Sequence, residues 1–490
     1  MKLADILKNV DVMEISGSTD IEIAHIACDS RQVKDGFLFV AVRGLKTDGL
    51  SFIGEAVSRG ARAVMCEPPG ARVEKATRII VSGTRRALAQ AAANFHENPS
   101  KSLGLVGITG TNGKTTVCYL IRNVLESAGW QAGMIGTVEY RVGNEAVAAD
   151  RTTPDPLVLN SLMAKMREGG CRYVVMEVSS HSLDQQRVGG LEFDVAVFTN
   201  LTRDHLDYHK TLGNYLQAKA SLFETLSPVQ KDGFRKQAVI CTDQPEGWYI
   251  ASKTKAPVVT YGFNKRADVT AENVRLDAWG SSFVARTPWG SLHMESCLIG
   301  RHNVSNILAA VSAGLSQGVE ASTIRRAIRN THPVPGRLEF VPNTKGYSVV
   351  VDYAHTEDAL KNVLTSLREI TKRKLIVVFG CGGDRDRGKR EKMGAVVNRL
   401  ADFAVVTSDN PRSEDPLEII SEIVRGFNGG RDNFTIEPDR RAAIAAAISI
   451  AREGDTVLIA GKGHETYQEF NGHRIDFDDR KVARELLACA

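Results

Sequence analysis

Gly107-Ile108-Thr109-Gly110-Thr111-Asn112-Gly113-Lys114-Thr115-Thr116 is the stretch from which the rest of this 490-residue chain can be read. The apolar run Leu103 to Ile108 feeds into it, and Val117 to Ala128 has the spacing of a helix leaving it. Strand, Gly-rich turn and helix is the layout that aims backbone N–H groups and the positive end of a helix at a phosphate. Lys114 has the reach for the terminal phosphates of a nucleotide, and the Thr115 hydroxyl suits Mg²⁺. The strict P-loop pattern asks for glycine where Ile108 stands, so the loop is a variant and leaves open which nucleotide chemistry follows.

The length calls for about three α/β domains. Residues 1–99 alternate strands (Phe37 to Val42, Ala63 to Cys66, Ile79 to Val81) with an Ala-rich helix from Arg86 to Phe95. Asn98-Pro99-Ser100 is the first boundary. Residues 100–333 read as a doubly wound domain with strands at Leu105–Ile108, Tyr173–Val178, Val195–Thr199 and Ala238–Cys241, plus a small β-insert over about 265 to 297. A helix follows from Leu298-Ile299-Gly300-Arg301-His302-Asn303 to about Ala313. The hinge His332-Pro333-Val334-Pro335-Gly336-Arg337 opens residues 334–490. There the near-continuous apolar runs Val349–Asp352, Leu375–Phe379, Phe403–Thr407 and Thr456–Ala460 predict a second parallel sheet, covered on both faces.

The formal charge of +4 is small and scattered, and it argues neither for nor against a nucleic-acid surface. No apolar run approaches the ~18 residues of a membrane span, and no signal peptide is visible. The eight cysteines stand apart without a C-x-x-C pair, as reduced thiols in a cytoplasm do.

Polar residues gather where these strands end. Glu177 closes one strand and His205 lies just past another, a carboxylate and an imidazole suited to Mg²⁺ or to the phosphate side of a site. His205 and His209 have the spacing of a zinc helix, but Leu206 stands where a metalloprotease has its Glu. Asp384 to Arg390 is a dense charged loop, which reads either as a solvated face or as an anion site. Asp409-Asn410-Pro411-Arg412 sets a carboxylate, an amide and a guanidinium on one turn, a set matched to an amino acid.

Together, Gly110 to Thr116, Glu177-Val178-Ser179-Ser180-His181, Asn200-Leu201-Thr202-Arg203-Asp204-His205-Leu206-Asp207-Tyr208-His209 and Asp352-Tyr353-Ala354-His355 resemble the Mur ligases, the ATP-dependent amino-acid ligases of peptidoglycan synthesis. Asp409 to Arg412 narrows the resemblance to the branch that adds meso-diaminopimelate to UDP-N-acetylmuramoyl-L-alanyl-D-glutamate. The resemblance implies catalytic roles for Lys114, Glu177, His205 and Lys219. It implies ATP contacts from Gly110, Thr111, Asn112, Gly113, Lys114, Thr115 and Thr116, with Asn306 at the base, Arg337 at phosphate, Asp352 on the ribose side and His355 nearby. Thr115, Glu177, His205 and Lys219 would serve Mg²⁺, with Lys219, in Tyr215-Leu216-Gln217-Ala218-Lys219, carried as a carbamate. An ammonium about 4 Å from a positive charge is repelled by about 4 kcal/mol at an effective dielectric near 20, whereas a carbamate is attracted. As a plain ammonium, Lys219 would be an ordinary helix-surface residue.

For the UDP-sugar dipeptide the implied contacts are Ser30, Leu45, Lys46, Thr47, Thr152, Thr153, Ser179, Gln185 and Arg187. For diaminopimelate they are Arg385, Asp409, Asn410, Pro411, Arg412, Gly461 and Glu465. Cys28, Arg151 and Glu357 depart from residues common in the family. A cytoplasmic monomer without nucleic-acid partner or membrane insertion is implied as well. A folylpolyglutamate-type ligase, which shares the loop and the domain logic, and a regulatory NTP-binding switch are the rival readings.

Overall fold

A computed structural model describes residues 1–44, 47–70, 73–143, 145–277, 279–427 and 433–489. The chain forms α/β layers built on three larger groups of strands, in two compact units of discontinuous segments. The first unit comprises Met1–Thr109, Trp130–Ala196 and Ser221–Lys236; the second comprises Gly110–Gly129, Val197–Ala220 and Gln237–Ala490.

In the first unit, Val12–Ser16, Thr77–Val81, Ala61–Cys66, Phe37–Val40 and His25–Ala27 form a five-stranded sheet in that order. Its first pair is antiparallel and the others are parallel. Leu38, Val40, Ala63 and Met65 face one core, and Phe39, Val64 and Cys66 face the other. The same unit holds Gly104–Thr109, Tyr173–Glu177 and Ala132–Ile135 in parallel, extended by an antiparallel meander through Glu139–Val142 and Glu145–Ala148. The sequence reading missed the meander, whose strands have only four residues each.

In the second unit, Gln237–Cys241, Val258–Gly262 and Val269–Asp277 run parallel and continue into Gly280–Thr287 and Gly290–Ser296, the predicted β-insert. Helix Lys114–Ser127 packs on Arg301–Ser316 and Ala321–Arg329. It begins three residues before the predicted start, directly after Gly113.

The C-terminal sheet runs Glu339–Val341, Ser348–Asp352, Thr456–Ala460, Leu375–Phe379, Phe403–Val406, Phe434–Ile436. Its apolar runs are continuous because both faces are buried: Val350, Val377 and Leu458 enter one core, and Val349, Val351, Ile376, Val378, Val457 and Ile459 the other. Each such side chain contributes about 1.5–3 kcal/mol of burial. The expected parallel sheet is corrected in one respect: Glu339–Val341 is an antiparallel edge strand. Helix Glu357–Ile370 is capped by Thr356, whose side chain accepts from Ala359 N, and Glu357 and Asp358 sit in its first turn. A carboxylate there faces the positive helix end, which accounts for the tolerance of Glu357 at this position.

Candidate functional site

The phosphate loop is braced before any ligand is considered. Gly110 has φ +150° and Gly113 φ +88°, and a Cβ at either would meet Thr199 Oγ1 at 1.9 Å or Asn306 Oδ1 at 2.4 Å. Only glycine fits both demands. Thr111 N donates to Asn200 O (2.9 Å) and Asn112 N to Asn200 Oδ1 (3.0 Å), while Asn112 O accepts from Thr199 Oγ1 at 2.6 Å. The strand end at Thr199-Asn200 thereby fixes the loop's shape. Lys114 Nζ donates to Gly110 O and Thr111 O, each at 2.9 Å, so the ammonium lies over the loop. Thr115 and Thr116 are buried at the helix start, and Arg337 Nη2 donates to Thr115 Oγ1 at 3.2 Å. Asn112 Nδ2 donates to Asp358 Oδ2 at 2.9 Å, which fastens the loop to the first turn of Glu357–Ile370.

Lys219 lies in the same unit and is 1% exposed, which rules out the alternative of an ordinary helix-surface ammonium. Its Nζ stands 4.2 Å from the centroid of the Tyr215 ring. Burial, and then the Lys114 charge, push its titration well below the usual lysine range against the pull of Asp204. A neutral amine is the form able to add CO₂, and a carbamate would turn a positive site negative. Asp204, a residue the sequence reading quoted but gave no role, is a hub. Burial tends to raise its carboxyl, but His205, His355 and Lys389 hold it well below the ordinary range. His205 Nε2 is 3.4 Å from Asp204 Oδ2, and His355 Nε2 is 4.0 Å from it. Desolvation pushes His355 down to about 4, and its Nδ1 lies 2.8 Å from Tyr353 O. Asp352 spends both oxygens on backbone, accepting from Leu338 N and Ala354 N at 2.7 Å. Asn306 is buried against Gly113, with Nδ2 bonded to Asn303 Oδ1 at 3.0 Å.

Among the described residues no three His, Cys, Asp or Glu side chains form a metal cage. That donor set still fits Mg²⁺, which binds through one or two protein oxygens together with nucleotide phosphates. The Thr115 hydroxyl and a Lys219 carbamate are oxygen donors of that kind.

The first unit carries a second network. Glu177 is 1% exposed and in register with Ile108, two residues ahead of Gly110 in sequence. It accepts from Thr137 N (2.7 Å) and Thr137 Oγ1 (3.0 Å), and Thr137 Oγ1 is also hydrogen-bonded to the Thr152 hydroxyl at 3.1 Å. Thr153 Oγ1 donates to Glu177 O (2.8 Å) and accepts from Ser179 N (3.1 Å). Arg187 donates to Thr153 O (2.9 Å) and forks onto Gln185 Oε1 at 2.6 and 3.1 Å. Thr152, Thr153, Ser179, Gln185 and Arg187 are thus brought together; Thr137, which joins them, carried no sequence signal. Ser30 donates to Glu55 Oε2 at 2.8 Å, next to an Asp29–Arg31 fork. The neighbouring Cys28 feels the charges of Asp155 and Arg151. Thr47 accepts a bond from Gly44 N through its carbonyl (2.9 Å). Leu45 and Lys46 lie outside the described residues.

At the C-terminal sheet, Asp409, Asn410 and Glu465 are drawn together. Asn410 Nδ2 donates to Glu465 Oε2 at 2.8 Å, and a Cβ on Gly461 would lie 3.4 Å from Asp409 Oδ2. Burial, reinforced by Asp409, raises the Glu465 carboxyl. Arg412, with φ +54° just after Pro411, donates to Gly383 O at 2.7 Å. Arg385 is exposed, but its Cγ and Arg412 Nη1 flank the same face of Gly382. Two guanidiniums beside two carboxylates, Asp409 buried and Glu465 partly so, can hold the carboxylate and ammonium of an amino acid.

Three family models match the chain: the Mur ligase family catalytic domain over residues 22–96, the Mur ligase middle domain over 108–314, and the Mur ligase glutamate ligase domain over 336–463. The chain is 46% identical over 488 residues to UDP-N-acetylmuramoyl-L-alanyl-D-glutamate–2,6-diaminopimelate ligase of Syntrophomonas wolfei, covering 99% of both chains. The chain belongs to the Mur ligase family. A solved structure of a ligase with the same name superposes with a TM-score of 0.71 at 32% identity, covering 100% of this chain and 99% of that one. MurF ligase from Thermotoga maritima in complex with ADP, at 20% identity and a TM-score of 0.63 over 95% of this chain and 96% of that one, shares the fold. This likeness agrees with the three-domain α/β organisation expected of a Mur ligase. No helix among the described residues is long and apolar enough to cross a membrane.

Proposed function

We propose that this Mur ligase uses ATP to join meso-2,6-diaminopimelate to UDP-N-acetylmuramoyl-L-alanyl-D-glutamate, as a cytoplasmic monomer in peptidoglycan precursor synthesis. The observation that carries the reading is the hydrogen-bonded Asp409–Asn410–Glu465 group beside Arg412, in a chain 46% identical end to end to a ligase of that name. The proposed domains are residues 1–99 for the UDP-substrate, 100–333 for ATP and 334–490 for the amino acid, with a hinge near Pro333 to Gly336 that lets the last domain close.

A carboxylate is a poor electrophile. An oxygen of the D-glutamyl γ-carboxylate therefore attacks the γ-phosphorus of ATP, ADP leaves, and an acyl phosphate forms. The diaminopimelate amine attacks its carbonyl carbon, loses a proton and expels inorganic phosphate. Lys114 and the loop amides from Gly110 to Thr116 spread the charge of the transferring phosphoryl group. Asn306, Arg337, Asp352 and His355 locate the nucleotide. Ser30, Leu45, Lys46, Thr47, Thr152, Thr153, Ser179, Gln185 and Arg187 seat the UDP-sugar dipeptide. Arg385, Asp409, Asn410, Pro411, Arg412, Gly461 and Glu465 orient the amine, so catalysis is mostly positioning. Thr115, Glu177, His205 and Lys219 would hold Mg²⁺, which when bound neutralises phosphate charge. The suppressed ammonium of Lys219 supports its carbamylation, R–NH₂ + CO₂ giving R–NH–COO⁻ and a proton.

Phosphate release in the presence of ATP tests this reading. It is expected only when the muramyl dipeptide and diaminopimelate are both present. Release indifferent to either co-substrate would instead mark a nucleotide switch.

A further inference from the structure

Lys462 has no part in the reading above, yet it is 0% exposed at the centre of the amino-acid pocket. It follows the strand Thr456–Ala460 between two glycines. Its Nζ donates to Asn410 Oδ1 at 3.1 Å and to Glu465 Oε2 at 3.2 Å, and stands 3.6 Å from Asp409 Oδ1. The Tyr467 ring centroid lies 5.5 Å away.

The bonding pattern fixes the amide of Asn410. Oδ1 accepts from Lys462 and from Glu469 N at 3.0 Å, while Nδ2 donates to Glu465. Turning the amide over would set an NH₂ group against an ammonium and an N–H. Asp409 is 7% exposed, and its Oδ1 has no hydrogen-bond partner among the described residues. Two carboxylates this close in a buried site cannot both stay ionised without an internal cation. The frame beneath them is rigid. Arg440, itself buried and paired with Asp479 at 2.7 Å, donates to Ser408 O (3.2 Å) and Ala460 O (3.0 Å), one residue before Asp409 and one before Gly461.

We propose that Lys462 is a positioning residue that sets the pocket's preference for an amino-acid ammonium, as the countercharge that holds Asn410 in one orientation and Asp409 and Glu465 side by side as anions. Lys462 does not touch the reacting atoms; it acts through the three side chains that do the holding. With the cation gone, one carboxylate takes up a proton and the pocket loses the charge that attracts the diamino acid. The proposal rests on the ligase reading above, and its signature is a selective one.

Steady-state kinetics on wild type, Lys462→Met, Lys462→Gln and Lys462→Arg, each with a thermal melt, test it. The expected result for Lys462→Met is a KM for diaminopimelate raised about 10- to 100-fold, the effect of unbalancing one buried charged hydrogen-bond group. The KM values for ATP and the muramyl dipeptide stay at the wild-type level, kcat falls less than KM rises, and Lys462→Arg recovers most of the loss. Should Lys462→Met not fold, Lys462→Gln, which keeps a donor but not the charge, decides by the same comparison. A wild-type KM for diaminopimelate in the uncharged variants, an equal loss toward all three substrates, or an Arg variant no better than Met would overturn the role of Lys462 while leaving the ligase reading intact. Wild-type enzyme that turns over no diamino acid would reject the ligase reading itself, and the proposal with it.

Discussion

A lysine on a helix normally keeps its ammonium in water, but Lys219 is 1% exposed, lies over the Tyr215 ring, and feels both Lys114 and Asp204. An uncharged amine that becomes an anion on adding CO₂ satisfies that setting better than an ammonium does. Lys219→Ala is therefore expected to lose about 100-fold in turnover, the scale of removing one electrostatic group from a reacting site. Short carboxylic acids added to the assay restore part of it by standing in for the carbamate; a variant with full activity would remove Lys219 from the mechanism. Residues inside recognisable motifs, such as Lys114, Thr115 and Asp409, were legible because their spacing is local. Asp204 and Lys462 were not, although Asp204 lies within a quoted motif and Lys462 directly follows Gly461. Their importance comes from what the fold places around them, His355 and Lys389 for one, Asn410 and Glu465 for the other.

At the scale of elements, the loop Asp384 to Arg390 shows what hydropathy leaves undecided. A run of charges suggests a solvated face, and Arg385 and Arg387 are indeed exposed, but Arg390 is 1% exposed and Lys389 is 7% exposed. Glu414, just past the Asp409–Arg412 turn, accepts from Asp384 N (2.6 Å), Arg387 (2.6 Å) and Arg390 (2.8 Å), and so ties this loop to that turn. The hydrogen bond from Arg390 is foremost in holding the Glu414 carboxyl down to about 2. A depressed carboxyl stabilises the fold above its unfolded value near 4.5, and that contribution fades as pH falls toward 2. Glu414→Gln should lower the denaturation midpoint at pH 7 by the equivalent of about 1–3 kcal/mol, with the gap to wild type narrowing below pH about 4.5. A gap that is constant from pH 6 to 3.5 would contradict the assignment. The apolar strands were legible nearly to the residue, Leu375–Phe379 and Thr456–Ala460 among them, because burial on both faces leaves an unbroken run. The short strands Glu139–Val142, partly buried, and Glu145–Ala148 and His473–Asp476, exposed throughout, have no such run.

At the scale of the whole molecule, each compact unit is assembled from discontinuous segments, a feature that no local pattern of hydropathy records. One unit contains the Thr152–Thr153–Ser179–Arg187 network and Ser30; the other contains the phosphate loop, Lys219 and the Asp409–Glu465 pocket. Within the second unit, Asn112–Asp358, Arg337–Thr115 and Arg203–Asp386 (3.4 Å) connect loops of the nucleotide side to elements of the C-terminal sheet. That arrangement suits a reaction in which phosphoryl transfer and amine attack must follow one another without release of the activated acid. The proposed acyl phosphate links phosphoryl transfer to amine attack, and an isotope reports it directly. With ¹⁸O in the γ-carboxylate of the muramyl dipeptide, turnover with ATP and diaminopimelate should deliver one ¹⁸O from each peptide bond formed into inorganic phosphate. Phosphate released without ¹⁸O would contradict the account.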